Sequence, residues 1–488
     1  MKLDKKYHLL FIIIVAILIR ICFYIGHIFS DDAYYSYLSY TLIKGDFVKD
    51  YLGYPIFPLR ITYLFITALA FKIFGVNEFA TIVFPFIISI ANIILTYKIA
   101  KIITENENVA ILSSLLMSFF PTDIIFATIS FVDLPDIFFI NLGVYFLYKS
   151  YKSGKIWYAF ISGSSFFLSM QIKENISYVV ILLLLLFSYL FFKKKRFNLQ
   201  IVISLSFILL NSVLEGISYL FLHNDFLYRF TVLQQNYNYS FYDFFPYTAQ
   251  KFSGSKNHIK NIFDQVFIIN LKSIFLRRFY LFIPLVAAIK TFFNFRKKGN
   301  VLLSYWFWGS LILLVAFTTS FSEYKPLDLQ RSWYVYPLLM PAIILTAIFI
   351  TNFSRIIRYS LVTIYIVGGI IMCTHYEGYF NKDDIVPLKS FLASHKTEKI
   401  FTDHYTKYSI DLLRNYSTEG NSARISGSNF NWDEINPGDW LLYNKQHIDE
   451  LELQKYKFPD FSVLNSSKFR KLISFDNFIF YEKVEQNN

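Results

Sequence analysis

Charge is the scarcest property of this chain. Only 17% of its 488 residues are Asp, Glu, Lys or Arg, whereas soluble domains average about 25%. That shortage excludes an ordinary water-soluble globule. Cysteine is scarcer still, with Cys22 and Cys373 the only two, both inside apolar runs. They cannot frame a disulfide-stapled module, and they read as small core residues. No repeat of fixed period and no low-complexity tract appear, which excludes solenoids and long disordered linkers. Nor does a small-x-small cleavage site follow the apolar stretch from Tyr7 to Ile28. That stretch exceeds the roughly 7–15 residues of a signal-peptide core, so it reads as a retained first span.

What is present is apolar. Hydrophobic residues make up 55% of the chain and aromatic ones 20%. A bilayer accepts such a composition in runs of about 20 residues. The net charge of +12 is not a nucleic-acid footprint, because the basic residues come in short clusters between apolar runs, as at Lys193–Arg196 and Arg296–Lys298. Cytoplasmic loops carry this pattern. Further spans are predicted at Phe79–Ile103, Val109–Ile125, Leu134–Tyr148, Ile156–Gln171, Ile176–Phe192 and Leu199–Leu222. Four more follow at Phe279–Phe293, Val301–Phe321, Trp333–Ile350 and Tyr359–Cys373.

Ile61–Phe74 is ambiguous by hydropathy, and the charge rule decides it. If this segment does not cross, Lys98, Lys101, Lys149, Lys152, Lys155, the two clusters, Arg355 and Arg358 all lie on the cytoplasmic side. If it crosses, all of them lie outside. The segment is therefore predicted to be an amphipathic helix in the outer interface. The expected fold is an all-α polytopic membrane protein of about eleven transmembrane helices, N-terminus inside. Residues 1–374 form the membrane domain, with outer loops at 29–78 and 223–276. Residues 375–488 change to a soluble composition and are predicted to form a small outer α/β domain. Helices are expected at Asp384–Ser394 and Lys407–Tyr416, strands at Lys399–Thr402 and Asp439–Asn444, and a closing hairpin around Asp476-Asn477.

Ionisable residues at a membrane boundary are costly, so their positions carry information. On this topology Asp31, Asp32, Asp133, Asp136, Lys173, Glu174, Arg277, Arg278, Lys325 and Arg331 all reach the outer face. The three-residue spacing of Asp133 and Asp136 puts both on one helical face. Each has a plainer reading: helix caps for Asp31, Asp32 and Asp133, a local ion pair for Lys173 with Glu174, snorkelling for Arg277 and Arg278, and pairing with Asp328 for Arg331. Their joint appearance on one face is what points to a site. Such a set suits sugar transfer from a phosphate leaving group. A carboxylate takes the proton of an acceptor hydroxyl, and basic groups stabilise the departing phosphate. One base suffices for an inverting displacement, whereas a hydrolase would show two opposed carboxylates. Adjacent carboxylates also have the chemistry to hold a divalent cation, and the sequence leaves metal dependence open.

Several segments resemble the GT-C membrane glycosyltransferases, in particular the protein O-mannosyltransferases and the lipid A aminoarabinose transferase. They are Asp31-Asp32-Ala-Tyr-Tyr with Lys44-Gly45-Asp46, Tyr54–Leu59, Ile73–Ala80, Phe131–Pro135, and Arg331–Pro341, which includes Tyr334. The resemblance covers roughly Tyr7–Ile350. It implies a polyprenyl-phosphate-linked sugar donor and an acceptor on the outer face of a multi-pass membrane, more naturally a prokaryotic plasma membrane than the endoplasmic reticulum. It implies Asp31 as the base, with Asp32 the alternative, and Asp133 as a second acid. Arg60 stands where the family carries a basic residue slightly earlier. Lys173, Glu174, Tyr334 and the four basic residues Arg277, Arg278, Lys325 and Arg331 complete the expected substrate site, the last four chosen by position alone. The sugar and the acceptor are not legible. Two rivals remain: a polymerase or ligase of lipid-linked glycans, and a secondary transporter, which would show ionisable groups on broken helices in repeated halves.

Overall fold

A computed structural model describes residues 5–46, 56–195, 197–240, 263–276, 282–294, 300–316, 329, 332–380, 382–395, 399–416, 422–425, 430–445, 448 and 459–485. The helices are α1 (Lys5–Cys22), α2 (Asp31–Lys44), α3 (Ile61–Phe74), α4 (Glu78–Thr104), α5 (Glu107–Ser118), α6 (Pro121–Phe126), α7 (Asp133–Ser153), α8 (Trp157–Met170), α9 (Ile176–Ser188), α10 (Leu199–His223) and α11 (Tyr228–Ser240). There follow α12 (Leu271–Leu276), α13 (Phe282–Asn294), α14 (Asn300–Ala316), α15 (Tyr336–Thr351) and α16 (Arg355–Tyr379). The tail adds α17 (Lys382–Ser394), α18 (His404–Leu413) and strands β1 (Ile400–Thr402), β2 (Ser422–Arg424), β3 (Trp440–Asn444), β4 (Phe469–Ser474) and β5 (Phe478–Lys483).

Local chemistry sets the ends. Asn77, Asn106 and Asn198 accept amide hydrogens of the first turns of α4, α5 and α10, as N-caps do. Each of the eleven predicted hydrophobic segments is helical over most of its described residues. Among the described residues, four helical stretches are long and apolar enough to cross a bilayer by length and composition: α4, α9 with its continuation to Lys193, α10 and α16. The predicted segment Val109–Ile125 is not one helix. It breaks between Ser118 and Pro121, because proline lacks the amide that would continue the ladder and instead opens α6. α16 runs on past residue 374 to Tyr379.

α15 is buried along almost its whole length and packs against α5, α13 and α14. α10 and α16 lie at the periphery and expose Leu209, Phe221, Ile356 and Ile371. Apolar side chains turned outward from peripheral helices suit contact with lipid. Close helix approach is purchased with glycine: a Cβ on Gly163 of α8 would sit 2.8 Å from the Ser204 carbonyl oxygen of α10. α3 is 14 residues long, about 21 Å at 1.5 Å per residue, against about 30 Å of hydrocarbon. It buries Tyr63, Leu64 and Phe71 and exposes Phe65, Leu69, Lys72 and Ile73. Apart from Lys72 that outer face is apolar, so the expected amphipathic division is weak.

Inside the bundle Arg20 of α1 is wholly buried. It bonds Asp123 of α6 at 2.5 Å, Ser89 of α4 at 2.6 Å, and the carbonyls of Ala16 and Ser118 at 3.0 and 3.2 Å. A buried charge persists only when paired and hydrogen-bonded in this way.

Among its described residues the tail carries a five-stranded mixed sheet in the order β2-β1-β3-β5-β4. β2, β1 and β3 are parallel, and β5 pairs antiparallel with β3 and β4. The expected helices, strands and closing hairpin are all present, with ends shifted by a few residues. β2 went unrecognised because Ser-Ala-Arg lacks the β-branched and aromatic residues that mark β1, Ile-Phe-Thr.

Candidate active site

The acids and bases meet where α2, α3, α7 and the α8–α9 connection converge. Asp31 and Asp32 open α2, and their environments differ. Asp32 is fully buried, and its carboxylate accepts the amides of Ile28 and Ser30 at 2.7 Å each and of Ala33 at 3.1 Å. His27 Nδ1 lies 2.7 Å from it. Burial alone would raise its pKa, but His27 and the Ile28 and Ser30 amides together hold it below the usual carboxylate range. Asp32 therefore organises the turn into α2, while Asp31 remains partly exposed. The same turn is fastened to the strand of chain before α7. The Gly26 amide donates to the Thr128 carbonyl at 2.9 Å, and the Ile25 amide to Thr128 Oγ1 at 3.1 Å.

Arg60 directly precedes α3. It donates to the Tyr35 hydroxyl of α2, with its guanidinium 5.6 Å from the Tyr35 ring and 5.7 Å from that of Phe57. Burial lifts the Tyr35 hydroxyl well above its ordinary pKa against the pull of Arg60, and Asp31 and Asp133 add to the rise. One phenol thus senses three of the expected site residues.

Lys173 pairs with Asp133, not with its neighbour Glu174. Consecutive side chains diverge, whereas helix packing brings the start of α7 to the end of α8. The Lys173 ammonium lies 5.1 Å from the Tyr334 ring centre. Burial would lower its pKa, but Asp133 and then Tyr334 outweigh that and keep it raised, so it is a cation at neutral pH. Asp136, one turn below Asp133, holds Ser169 at 2.5 Å and Asn175 at 2.7 Å, clasping both ends of the turn that carries Lys173 and Glu174. Both Glu174 carboxylate oxygens are buried without a hydrogen-bond partner among the described residues.

Arg229 of α11 was not foreseen. It pairs with Glu215 of α10 at 2.7 Å and donates to the carbonyls of Leu59 and Met170 at 3.1 and 3.2 Å and to Gln171 at 3.3 Å. It thereby joins the residue before Arg60 to those just before Lys173. A signal existed: Glu215 sits in an apolar run and needs a cation, and Arg229 is the one arginine between residues 197 and 276. Arg277, Arg278, Lys325 and Arg331 lie outside the described residues. Among the described residues no three His, Cys, Asp or Glu side chains gather as metal ligands would. The arrangement provides partly exposed Asp31, a neutralised Asp133–Lys173 pair, and the cations Arg60 and Arg229 linked through the Leu59–Arg60 backbone.

Residues 59–214 match the family described as dolichyl-phosphate-mannose-protein mannosyltransferase. That stretch contains Arg60, Asp133, Lys173 and Glu174. An uncharacterized protein of Aquifex aeolicus (strain VF5) is 35% identical over 102 residues, 20% of each chain. The match spans about a fifth of that relative's length. Among solved structures, ArnT from Cupriavidus metallidurans bound to undecaprenyl phosphate superimposes with a TM-score of 0.60 at 10% identity, covering 98% of both chains. The oligosaccharyltransferase of Archaeoglobus fulgidus tethered to an acceptor peptide gives 0.54 at 10% identity, covering 99% of this chain and 75% of that one. An oligosaccharyltransferase AglB from Archaeoglobus fulgidus in complex with an inhibitory peptide and a dolichol-phosphate gives 0.52 at 9% identity, covering 100% of this chain and 75% of that one. Over its described residues this chain has the fold of ArnT and of the archaeal oligosaccharyltransferase, and in residues 59–214 it matches the dolichyl-phosphate-mannose-protein mannosyltransferase family in sequence.

Proposed function

We propose that this protein transfers a sugar from a polyprenyl-phosphate carrier to a hydroxyl acceptor at the outer face of a prokaryotic plasma membrane. The observation that carries the reading is that Asp31, Arg60 and Asp133 all act on Tyr35 of α2, with Lys173 paired to Asp133 and Arg229 bonded to the Leu59 carbonyl beside Arg60. Asp31 takes the acceptor proton, the acceptor oxygen bonds to the anomeric carbon, and the bond from that carbon to the phosphate oxygen breaks. The lipid phosphate leaves with the electron pair, and the basic groups stabilise it. The displacement inverts the anomeric centre. Asp133 holds Lys173 in place, and Tyr334 borders that ammonium. Arg277, Arg278, Lys325 and Arg331 remain further candidates for the carrier phosphate. The carriers bound in the ArnT and oligosaccharyltransferase structures support a lipid-phosphate donor.

The test is transfer from labelled polyprenyl-phosphate monosaccharides in membranes holding wild type, Asp31→Asn or Arg60→Ala. Asp31→Asn should lose about 10²–10⁴-fold in turnover, the usual contribution of a general base. Arg60→Ala should raise the donor requirement. Transfer that survives Asp31→Asn moves the base elsewhere. Transfer only from pyrophosphate-linked oligosaccharides makes the protein a glycan ligase or polymerase, and substrate uptake by vesicles without product makes it a transporter.

A further inference from the structure

The turn that carries Asp31 is built partly by the other end of the chain. Phe29 lies two residues before Asp31, yet its ring belongs to the core of the C-terminal domain. It is 1% exposed, packs among Ile385, Leu388, Leu392 and Ile400, and lies 5.4 Å from the Phe478 ring. Its backbone has φ 61°, the left-handed region that side-chain-bearing residues seldom occupy. Such a conformation persists only where the surroundings over-determine it. Here they do: the amides on either side of Phe29, of Ile28 and Ser30, both donate to Asp32 at 2.7 Å. The backbone around the ring is therefore the backbone that opens α2.

Two further contacts act on the same stretch. Lys389 of α17 pairs with Glu78 at 2.5 Å, and that carboxylate oxygen also accepts the His27 amide at 2.7 Å. The outward face of α2 carries Tyr37, 4.4 Å from Tyr408, and Tyr40, stacked at 4.1 Å and 7° on Tyr416. The C-terminal domain thus grips the chain before Asp31 and along the helix after it.

We propose that the C-terminal domain is a positioning element of the active site and that Phe29 is the residue through which it places Asp31. The proposal rests on Asp31 being the base. Withdrawal of the ring lets the left-handed turn relax and turns the first residues of α2, while Arg60, Lys173 and Arg229 stay where they are. Positioning should therefore appear in turnover and not in affinity for the carrier phosphate.

The experiment uses the full-length protein in detergent and compares wild type, Phe29→Ala, Phe29→Leu and Lys389→Gln. Amide hydrogen exchange is followed at residues 27–34, with β3 and β5 as controls for folding of the domain. Undecaprenyl phosphate binding and transfer kinetics are measured beside it. Phe29→Ala should speed exchange at Ser30 and Ala33 at least about tenfold and lower kcat by a similar factor, with undecaprenyl phosphate affinity unchanged. Phe29→Leu, which refills most of the pocket, should restore both. Lys389→Gln, which leaves the core intact, should speed exchange at His27. Exchange at 27–34 that stays at the wild-type rate in Phe29→Ala and Lys389→Gln overturns the proposal. So does faster exchange with unaltered kcat. If wild type transfers no sugar while exchange responds as expected, the reading as a sugar transferase has failed and the coupling of the domain to the turn stands.

Discussion

At the residue scale, the adjacent acids Asp31 and Asp32 divide two tasks. Asp32 is consumed by backbone amides and His27, so replacing it with Ala leaves buried donors without an acceptor. That should cost about 3–5 kcal/mol, the usual penalty for removing one member of a buried charged pair. Asp31→Asn should leave thermal stability nearly unchanged. Because the folded pKa of Asp32 lies below its unfolded value of about 3.9, its contribution is complete above that value and fades as pH falls through the folded one. The melting gap between wild type and Asp32→Ala, measured in detergent, should hold constant from pH 8 to 5 and narrow only under stronger acid. A gap that closes near neutrality would place the lost stability elsewhere. The sequence supplied the pair but not the division, because what distinguishes the two is the fold of the Ile28–Ser30 backbone around one of them.

At the scale of elements, the site is a matter of turns held from a distance. The connection between α8 and α9 is fixed by Asp136, which binds Ser169 and Asn175. Asp136→Ala should free that turn and raise the donor KM about tenfold, with a smaller effect on kcat, because Lys173 loses its position before any reacting group does. Unaltered donor KM would limit Asp136 to stability. The spacing of Asp133 and Asp136 was legible, and both do face the same connection. The partner of Lys173 was not, since local spacing cannot reveal an ion pair made by two packed helices. The break before α6 was missed because hydropathy averages across Pro121. Arg229 was missed because it lies outside every motif that carried the resemblance.

At the scale of the molecule, the hydrophobic segments, the switch to a soluble tail and the tail's mixed α and β content were all visible in composition and charge. The docking of that tail on the first outer loop was not. A contact between Phe29 and Phe478 joins the two ends of the chain, and no local pattern records it. The proposed topology is open to a direct check. Lys44 ends α2, Lys72 lies in the last turn of α3 and Lys152 in the last turn of α7, and all three are exposed. Single cysteines at Lys44 and Lys72 should both react with an impermeant reagent added outside intact cells, and one at Lys152 should react only after lysis. Protection of the Lys72 site would mean that α3 crosses the membrane.

The Arg20–Asp123 pair has a consequence for biosynthesis. Its members lie 103 residues apart, so at about 5–20 residues per second the guanidinium leaves the ribosome some 5–20 s before its counterion. On the proposed topology the first helix enters the bilayer during that interval with an uncompensated charge, at a cost of about 2.5–3.5 kcal/mol were it at the centre of the membrane. On that topology the oldest segment of the nascent protein is held in lipid only conditionally until α6 arrives, and a ribosome stalled before Asp123 should leave a chain that is extracted more readily than one stalled after it.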